Sequence, residues 1–251
     1  MKYPKVIILK TAGTNCDKET AFAFRSLAAE VDVIHINEFK KEPESLLSYK
    51  ILCIPGGFSY GDDISAGRVL GLELNLFLRD AINAFIESGG LVIGICNGFQ
   101  VLVNAGLLPG LGENMPVSLI ENRTGSFIDR WCVLEVPESK CVWTKYLQGR
   151  EVNMPIAHAE GRFIAEDSTI EILKKNGQIA FYYQNNPNGS VDSIAGICDS
   201  TGRILGMMPH PERASFLYQF PDKAPHFEAG KAMPAMEVFK AGIEAVQSSF
   251  V

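Results

Sequence analysis

Several things are missing from the sequence, and each absence narrows what it can be. No apolar run approaches the roughly 18 residues that a membrane-spanning helix needs. Met1-Lys2-Tyr3-Pro4-Lys5 leads into only four apolar residues, too few for the core of a signal peptide. A soluble cytoplasmic protein is therefore expected. No internal repeat and no low-complexity linker interrupts the chain, so one domain over residues 1–251 is expected. The six cysteines, at 16, 53, 96, 132, 141 and 198, form no C-x-x-C pair and keep no metal-ligand spacing with the four histidines. Reduced thiols are expected, with no metal site. No P-loop or G-x-G-x-x-G pattern supports a nucleotide site. Positive charge is also short, since 23 Lys and Arg face 29 Asp and Glu for a net of −6. That balance gives no general pull toward nucleic acid or an anionic membrane.

What is present is ordinary globular material. The 251 residues are 47% hydrophobic and 21% charged, and a chain of this length buries about 70–75% of its unfolded surface. Val6-Ile7-Ile8-Leu9 is continuous and β-branched, the mark of a strand covered on both faces. Runs at 31–36, 51–54 and 91–95 read the same way. Asp17 to Ala29 reads as a helix that Asp17 could cap, and Leu72 to Ile86 as another, ended by Gly89-Gly90. Strands joined by crossover helices predict an α/β fold with a central, mostly parallel sheet and helices on both faces. Functional groups of such a sheet gather at the carboxyl ends of its strands. From about Val117 the rhythm changes to strand-like runs at 131–136, 178–183, 193–198 and 203–208, predicting β structure added in the C-terminal half. Residues 216–234 show no periodicity, and a last helix is predicted near Ala235–Gln247.

The chemistry begins at Gly94-Ile95-Cys96-Asn97-Gly98, a G-x-C-x-G element between a buried strand and a helical pattern. This is a nucleophile elbow with cysteine in the place of serine. The turn is sharp, and a Cβ at either flank would meet neighbouring backbone. The helix that follows favours a thiolate at its N-terminus, and the Asn97 amide would face a developing oxyanion. A cysteine nucleophile needs a base, and the base an orienting group. Met208-Pro209-His210-Pro211-Glu212 offers both, a histidine and a carboxylate two residues apart in a proline-restricted turn. Read blandly, these are a structural cysteine and a proline-rich surface turn; it is their co-occurrence that favours catalysis.

Three segments carry a family resemblance: Gly94-Ile-Cys96-Asn-Gly-Phe-Gln100, Pro209-His210-Pro211-Glu212-Arg213 and Pro55-Gly-Gly-Phe58-Ser-Tyr60-Gly-Asp-Asp63. Together they resemble a class I (triad) glutamine amidotransferase. Pro155-Ile-Ala-His158-Ala-Glu160-Gly-Arg162-Phe163 and the Gly-Phe-Ser-Tyr-Gly-Asp segment narrow the resemblance to the amidotransferase subunits of phosphoribosylformylglycinamidine synthase, of purine biosynthesis. The resemblance spans about residues 4 to 214. It implies the flavodoxin-like fold of that class, with Cys96 as nucleophile and His210 and Glu212 completing the triad. It implies Gly57 and Asn97 as backbone donors of the oxyanion hole, Gln100 near bound L-glutamine, and His158 and Glu160 in a loop closing the glutamine pocket. Ala159 stands where the family usually has glycine. The resemblance also implies that ammonia passes to a separate synthetase chain, with a possible small third subunit. ATP and magnesium would belong to that synthetase, and no cofactor to this chain.

Two rivals stand beside this reading. One is a cysteine hydrolase of the same fold acting alone, against which Glu212 and Gln100 together speak. The other is a non-catalytic binding or regulatory module, against which the intact Cys96, His210 and Glu212 speak. Elsewhere the plain readings are preferred. Asp62-Asp63 is read as a solvated loop or partner surface rather than a metal pair, Arg68 as no phosphate reader, Trp131 and Trp143 as core or interface residues, and Cys53 and Cys198 as buried thiols.

Overall fold

The structure, a computed structural model, describes residues 3–111, 116–221 and 232–248. Its strands in chain order are β1 (Lys5–Lys10), β2 (Glu30–His35), β3 (Ile51–Ile54), β4 (Leu91–Ile95), β5 (Val117–Glu121), β6 (Ile128–Val136), β7 (Arg150–His158), β8 (Glu160–Ala165), β9 (Ile179–Tyr183), β10 (Ile194–Cys198) and β11 (Ile204–Met207). Its helices are α1 (Asp17–Ser26), α2 (Ile36–Phe39), α3 (Arg68–Glu73), α4 (Arg79–Glu87), α5 (Asn97–Asn104), α6 (Asp167–Lys175) and α7 (Glu237–Ser248). None is long and apolar enough to cross a membrane.

Nine strands form one sheet in the order β2-β1-β3-β4-β11-β10-β9-β6-β7. The first five run parallel, and their order is that of a flavodoxin-like sheet with β11 as the fifth strand. Every residue of β3, β4 and β11 is buried, as strands covered on both faces must be. Beyond β11 the sheet continues antiparallel through β10, β9, β6 and β7, so the added β structure of the C-terminal half extends the parallel core. β5 and β8 pair separately.

The differences from the sequence reading have local causes. β7 is an edge strand with one buried face, carrying Val152, Met154, Ile156 and His158 in alternation. Its polar alternate residues and Pro155 hide it in a search for apolar runs, yet an edge strand tolerates proline. α1 starts with Cys16 at the N-cap and no side-chain cap bond, so Asp17 does not cap it. It also stops at Ser26, because Ala28 turns left-handed at φ 61°. The helix expected over 72–86 is interrupted by a π-type turn at Leu74–Leu78, which leaves Leu76 and Phe77 exposed while Leu74 and Leu78 face the core. The last helix is α7, two residues later than expected. Of the irregular stretch 216–234, residues 222–231 lie outside the described residues; before them come a short helical turn at Leu217–Gln219 and a bridge from Phe216 to Ala232.

Trp143 is fully buried, and its indole N–H donates to the Arg203 carbonyl at 3.0 Å. Trp131 is half-buried, edge-on to Phe220. Cys53 and Cys198 are buried, as expected.

Candidate active site

The site is assembled from the carboxyl ends of the parallel strands. Cys96 follows β4, and His210 and Glu212 follow β11. Gly56 and Gly57 follow β3, and Cys16 follows the loop after β1. Cys96 takes φ 52° and ψ −107°, a conformation that costs a non-glycine residue about 1–3 kcal/mol. The surroundings hold it there. Its N–H donates to the Met207 carbonyl at 2.7 Å, and its carbonyl accepts from Phe99 and Gln100 in the first turn of α5. The flanking glycines are required by space. A Cβ on Gly98 would lie 1.9 Å from the Ile54 carbonyl oxygen, and one on Gly94 would lie 2.5 Å from that of Gly98. α5 therefore starts directly against the end of β3, and Asn97, its first residue, has a backbone N–H with no carbonyl one turn back.

His210 and Glu212 form a buried pair, with Nδ1 to Oε1 at 2.6 Å and side chains 2% and 0% exposed. Burial alone would lower the His210 pKa. The Glu212 charge, then the proximity of Cys96 and the contact with Cys16, carry it well above the usual imidazole value, while Nε2 has no hydrogen-bond partner and the Cys96 thiol lies 3.7 Å from the Ala157 carbonyl. The pairing thus favours the protonated form of His210, the form that stabilises a neighbouring thiolate. Gly56 separates these groups by the width of one side chain: a Cβ there would lie 2.8 Å from His210 Cε1 and 3.5 Å from Cys96 Cβ. Gly57, at φ 141°, leaves no room for a Cβ, which would meet the backbone of Gly13, Thr14 and Asn15 within 3 Å.

Gln100 and His158 come to the same place. A small, half-open cleft is lined by Gly57, Cys96, Gln100, His158, Glu160 and, unexpectedly, Asp62. Gln100 is held at both ends, its Nε2 donating to the Glu160 carbonyl and its Oε1 accepting from Asn97 Nδ2 at 3.0 Å. Asn97 Nδ2 also donates to Asp62 Oδ1 at 3.0 Å, and Asn97 Oδ1 accepts from the Ser59 amide. Asp62 is therefore half-buried and tied into the cleft, whereas Asp63 beside it is exposed. Burial, then the Glu160 charge, push its pKa up to about 6. Burial and then the His210 charge lower that of His158 to about 4, so His158 is neutral. Ala159 has no left-handed backbone, and its carbonyl accepts from the Asn122 amide, so no glycine is needed there.

Sequence reasoning gave no role to Cys16, nor to the Arg213–Glu19 pair behind it. Cys16 lies 4.0 Å from His210 Nδ1 and accepts from Arg213 Nη2 at 3.1 Å, and Arg213 also pairs with Glu19 at 3.2 Å. Burial raises the Cys16 pKa. With Phe58 and Phe127, Cys16 and Arg213 line a second opening that meets the first at Cys96. The signal that could have found Cys16 is its position just past the end of β1, beside the other strand ends. Among the described residues, Cys16, His210 and Glu212 are the one group gathered closely enough to suggest metal ligands. The 2.6 Å hydrogen bond between His210 Nδ1 and Glu212 accounts for their closeness without an ion.

Residues 3–245 match the CobB/CobQ-like glutamine amidotransferase domain. The phosphoribosylformylglycinamidine synthase subunit PurQ of Dehalococcoides mccartyi is 44% identical over 225 residues, covering 85% of this chain and 86% of that protein. The chain belongs to the PurQ family of glutamine amidotransferases. The PurQ subunit of Methanococcus maripaludis is 42% identical over 234 residues, 87% of this chain and 85% of its own. Among solved structures, a chain of PurLQS from Thermotoga maritima superposes with a TM-score of 0.78 at 28% identity, covering 98% of this chain and all of its own. A putative GMP synthase subunit of Thermoplasma acidophilum shares the fold, with a TM-score of 0.60 at 13% identity. Family and fold thus agree with the resemblance read from the motifs.

Proposed function

We propose that the chain is the glutaminase subunit of phosphoribosylformylglycinamidine synthase, and that Cys96, His210 and Glu212 are its catalytic triad. The observation that carries the reading is Cys96 in its left-handed elbow beside the buried His210–Glu212 pair. The Cys96 thiolate attacks the side-chain amide carbon of L-glutamine. The Gly57 and Asn97 amides receive the oxyanion, as preorganised donors do where charge develops. The His210 imidazolium gives its proton to the leaving nitrogen; the C–N bond breaks, ammonia departs and a glutamyl thioester remains. Neutral His210 then takes a proton from water, whose oxygen attacks the thioester. Collapse of that intermediate frees glutamate and restores thiolate and imidazolium. Glu212 holds His210 in place and stabilises its charge through both steps. Gln100 and His158 wall the glutamine pocket.

Ammonia then passes to an ATP-dependent synthetase chain that converts formylglycinamide ribonucleotide to the formylglycinamidine, with a small third subunit in the complex. The relatives' names and the PurLQS neighbour support that assembly. ATP and magnesium act on the synthetase. The test is glutamate release from glutamine by the full chain with its synthetase, combined with mass mapping of the site labelled by diazo-oxo-norleucine. Label on Cys96 and glutaminase activity are expected; label on Cys16, Cys53 or Cys198 instead overturns the assignment.

A further inference from the structure

Apart from the Gly57 and Asn97 backbone amides assigned to the oxyanion, the cleft beside Cys96 has polar capacity of one kind left over. The side-chain donors on its wall are spent internally: Asn97 Nδ2 on Asp62 and Gln100, and Gln100 Nε2 on the Glu160 carbonyl. Acceptors remain. Asp62 and Glu160 stand close enough for the charge on Glu160 to be felt at Asp62, and no lysine or arginine is among the residues lining the cleft. His158, on the same wall, is neutral and offers no charge to offset them. Asn122 donates from Nδ2 to the carbonyls of Ser126 and His158, so its Oδ1 faces the ring and His158 Nδ1 carries the proton, at 3.0 Å. The other ring nitrogen, Nε2, keeps its lone pair, and it is buried with no partner in a side chain only 3% exposed. Two carboxylates beside a neutral histidine, without a cation, are a costly arrangement, and a ligand bearing a cation would relieve it. An ammonium carries three donors and no acceptor, the complement of this wall.

We propose that Asp62, together with Glu160, receives the α-ammonium group of the glutamine whose side-chain amide lies against Cys96, and so selects an α-amino acid over other primary amides. The assignment rests on the glutaminase reading above. It places the recognition of the substrate's head group on the Gly-Phe-Ser-Tyr-Gly-Asp loop. That loop is held for the purpose: Tyr60 and Asp62 both sit at φ 56°, and Glu160 Oε2 accepts from the Ala66 amide further along it. The alternative is that Asp62 serves only to tether Asn97.

Three probes of Cys96 separate these readings in the full-length chain. Diazo-oxo-norleucine carries the amino-acid head group, its desamino counterpart lacks the amine, and iodoacetamide lacks the head group altogether. Asp62→Asn keeps an oxygen for Asn97 and tolerates the left-handed backbone, so it removes little besides the charge. In Asp62→Asn and in Glu160→Gln, labelling of Cys96 by diazo-oxo-norleucine should slow by about ten- to a hundredfold, as for a lost hydrogen bond between charged groups. The desamino probe and iodoacetamide should label at wild-type rates. Wild-type rates with diazo-oxo-norleucine in Asp62→Asn would overturn the proposal, as would equal slowing of the amino and desamino probes. If iodoacetamide also slows in Asp62→Asn, Cys96 has been disturbed through Asn97. Glu160→Gln, which does not touch Asn97, then decides by the same comparison. Failure of the glutaminase reading looks different, since the wild-type chain would then take no label at Cys96 from diazo-oxo-norleucine.

Discussion

Replacing Glu212 by glutamine tests the triad where the structure makes the sharpest demand. The pair with His210 is 2.6 Å long and almost wholly removed from solvent. Glu212 Oε2 has no hydrogen-bond partner, so the amide nitrogen of glutamine can occupy its place without breaking a bond. Shape is kept and charge is lost. An imidazolium buried at this depth without its counter-charge is destabilised by about 3–5 kcal/mol. At 1.4 kcal/mol per decade, that is about two to four decades if the whole loss falls on the charged form used in the reaction. The direction in pH is also set. His210 is raised in the native state, so its pairing stabilises the fold fully below the ordinary imidazole pKa of about 6.5 and loses this effect as pH rises through the raised value. Glu212→Gln lets burial dominate and drops the His210 pKa, so the variant should lose most of its stability margin at mildly acid pH. The assay is glutamate release with and without hydroxylamine as competing nucleophile, with thermal melts at acid and neutral pH. A folded Glu212→Gln chain hydrolysing glutamine at the wild-type rate would refute the role assigned to the pair.

Other outcomes follow from the same geometry. Cys96→Ala should abolish product formation from glutamine by the assembled synthetase complex while product from added ammonium persists; loss of both while the complex stays assembled would show that Cys96 does more than hydrolyse glutamine. Gly98→Ala drives a methyl group to 1.9 Å from the Ile54 carbonyl, so a loss of about 3 kcal/mol in unfolding free energy is expected, within the overpacking range; a melt unchanged from wild type would mean that α5 can shift freely. Asp62 is raised to about 6 by burial and by Glu160, the charged group facing it, with Asn97 and the Gly67 amide as neutral donors. Ionising it therefore disfavours the fold above pH 6 and has no effect below about pH 4. Asp62→Asn should accordingly be more stable than wild type at pH 7, by about 1 kcal/mol once solvent screening of a half-exposed group is allowed for, and equal to it near pH 4; urea titrations at the two pH values check this.

The proximity of Cys96, His210 and Glu212 was legible because the geometry of the candidate site forces particular residue types. Cys96 can hold its left-handed turn only with Gly94 and Gly98 beside it, since α5 approaches β3 too closely for any side chain. The glycines are visible in the sequence, and so is the cysteine between them. The parallel core was legible for a similar reason, because strands buried on both faces have no polar alternation. β7 was not, because its one buried face alternates with polar residues and Pro155. α6 was not either, since neither a motif nor a long apolar run marks it, and β8 was not because Glu160–Ala165, although it begins inside a family motif, has no long apolar run. Asp62 was misread for a different reason. Its neighbours Tyr60, Gly61 and Asp63 suit an exposed turn, and only the fold shows that Asn97 and Glu160, 35 and 98 positions further along, close around it.

That closure bears on what the chain cannot do as much as on what it does. A phosphate or nucleotide is met by backbone amides, lysine or arginine. The cleft at Cys96 offers instead two carboxylates and a neutral histidine on its wall. Arg68 makes its contact with Asn104 on α5 rather than in this cleft, and Arg213 is engaged by Glu19 and Cys16. A site of this polarity accepts a cationic head group and repels an anionic one at about the strength of two uncompensated charges in a partly buried setting. A phosphate entering this cleft would meet two carboxylates and no lysine or arginine among its lining residues, so the cleft itself disfavours one. The charge of Asp62 and Glu160 thus fits the proposed division of labour, in which this cleft takes glutamine by its ammonium group and a phosphorylated substrate is met elsewhere.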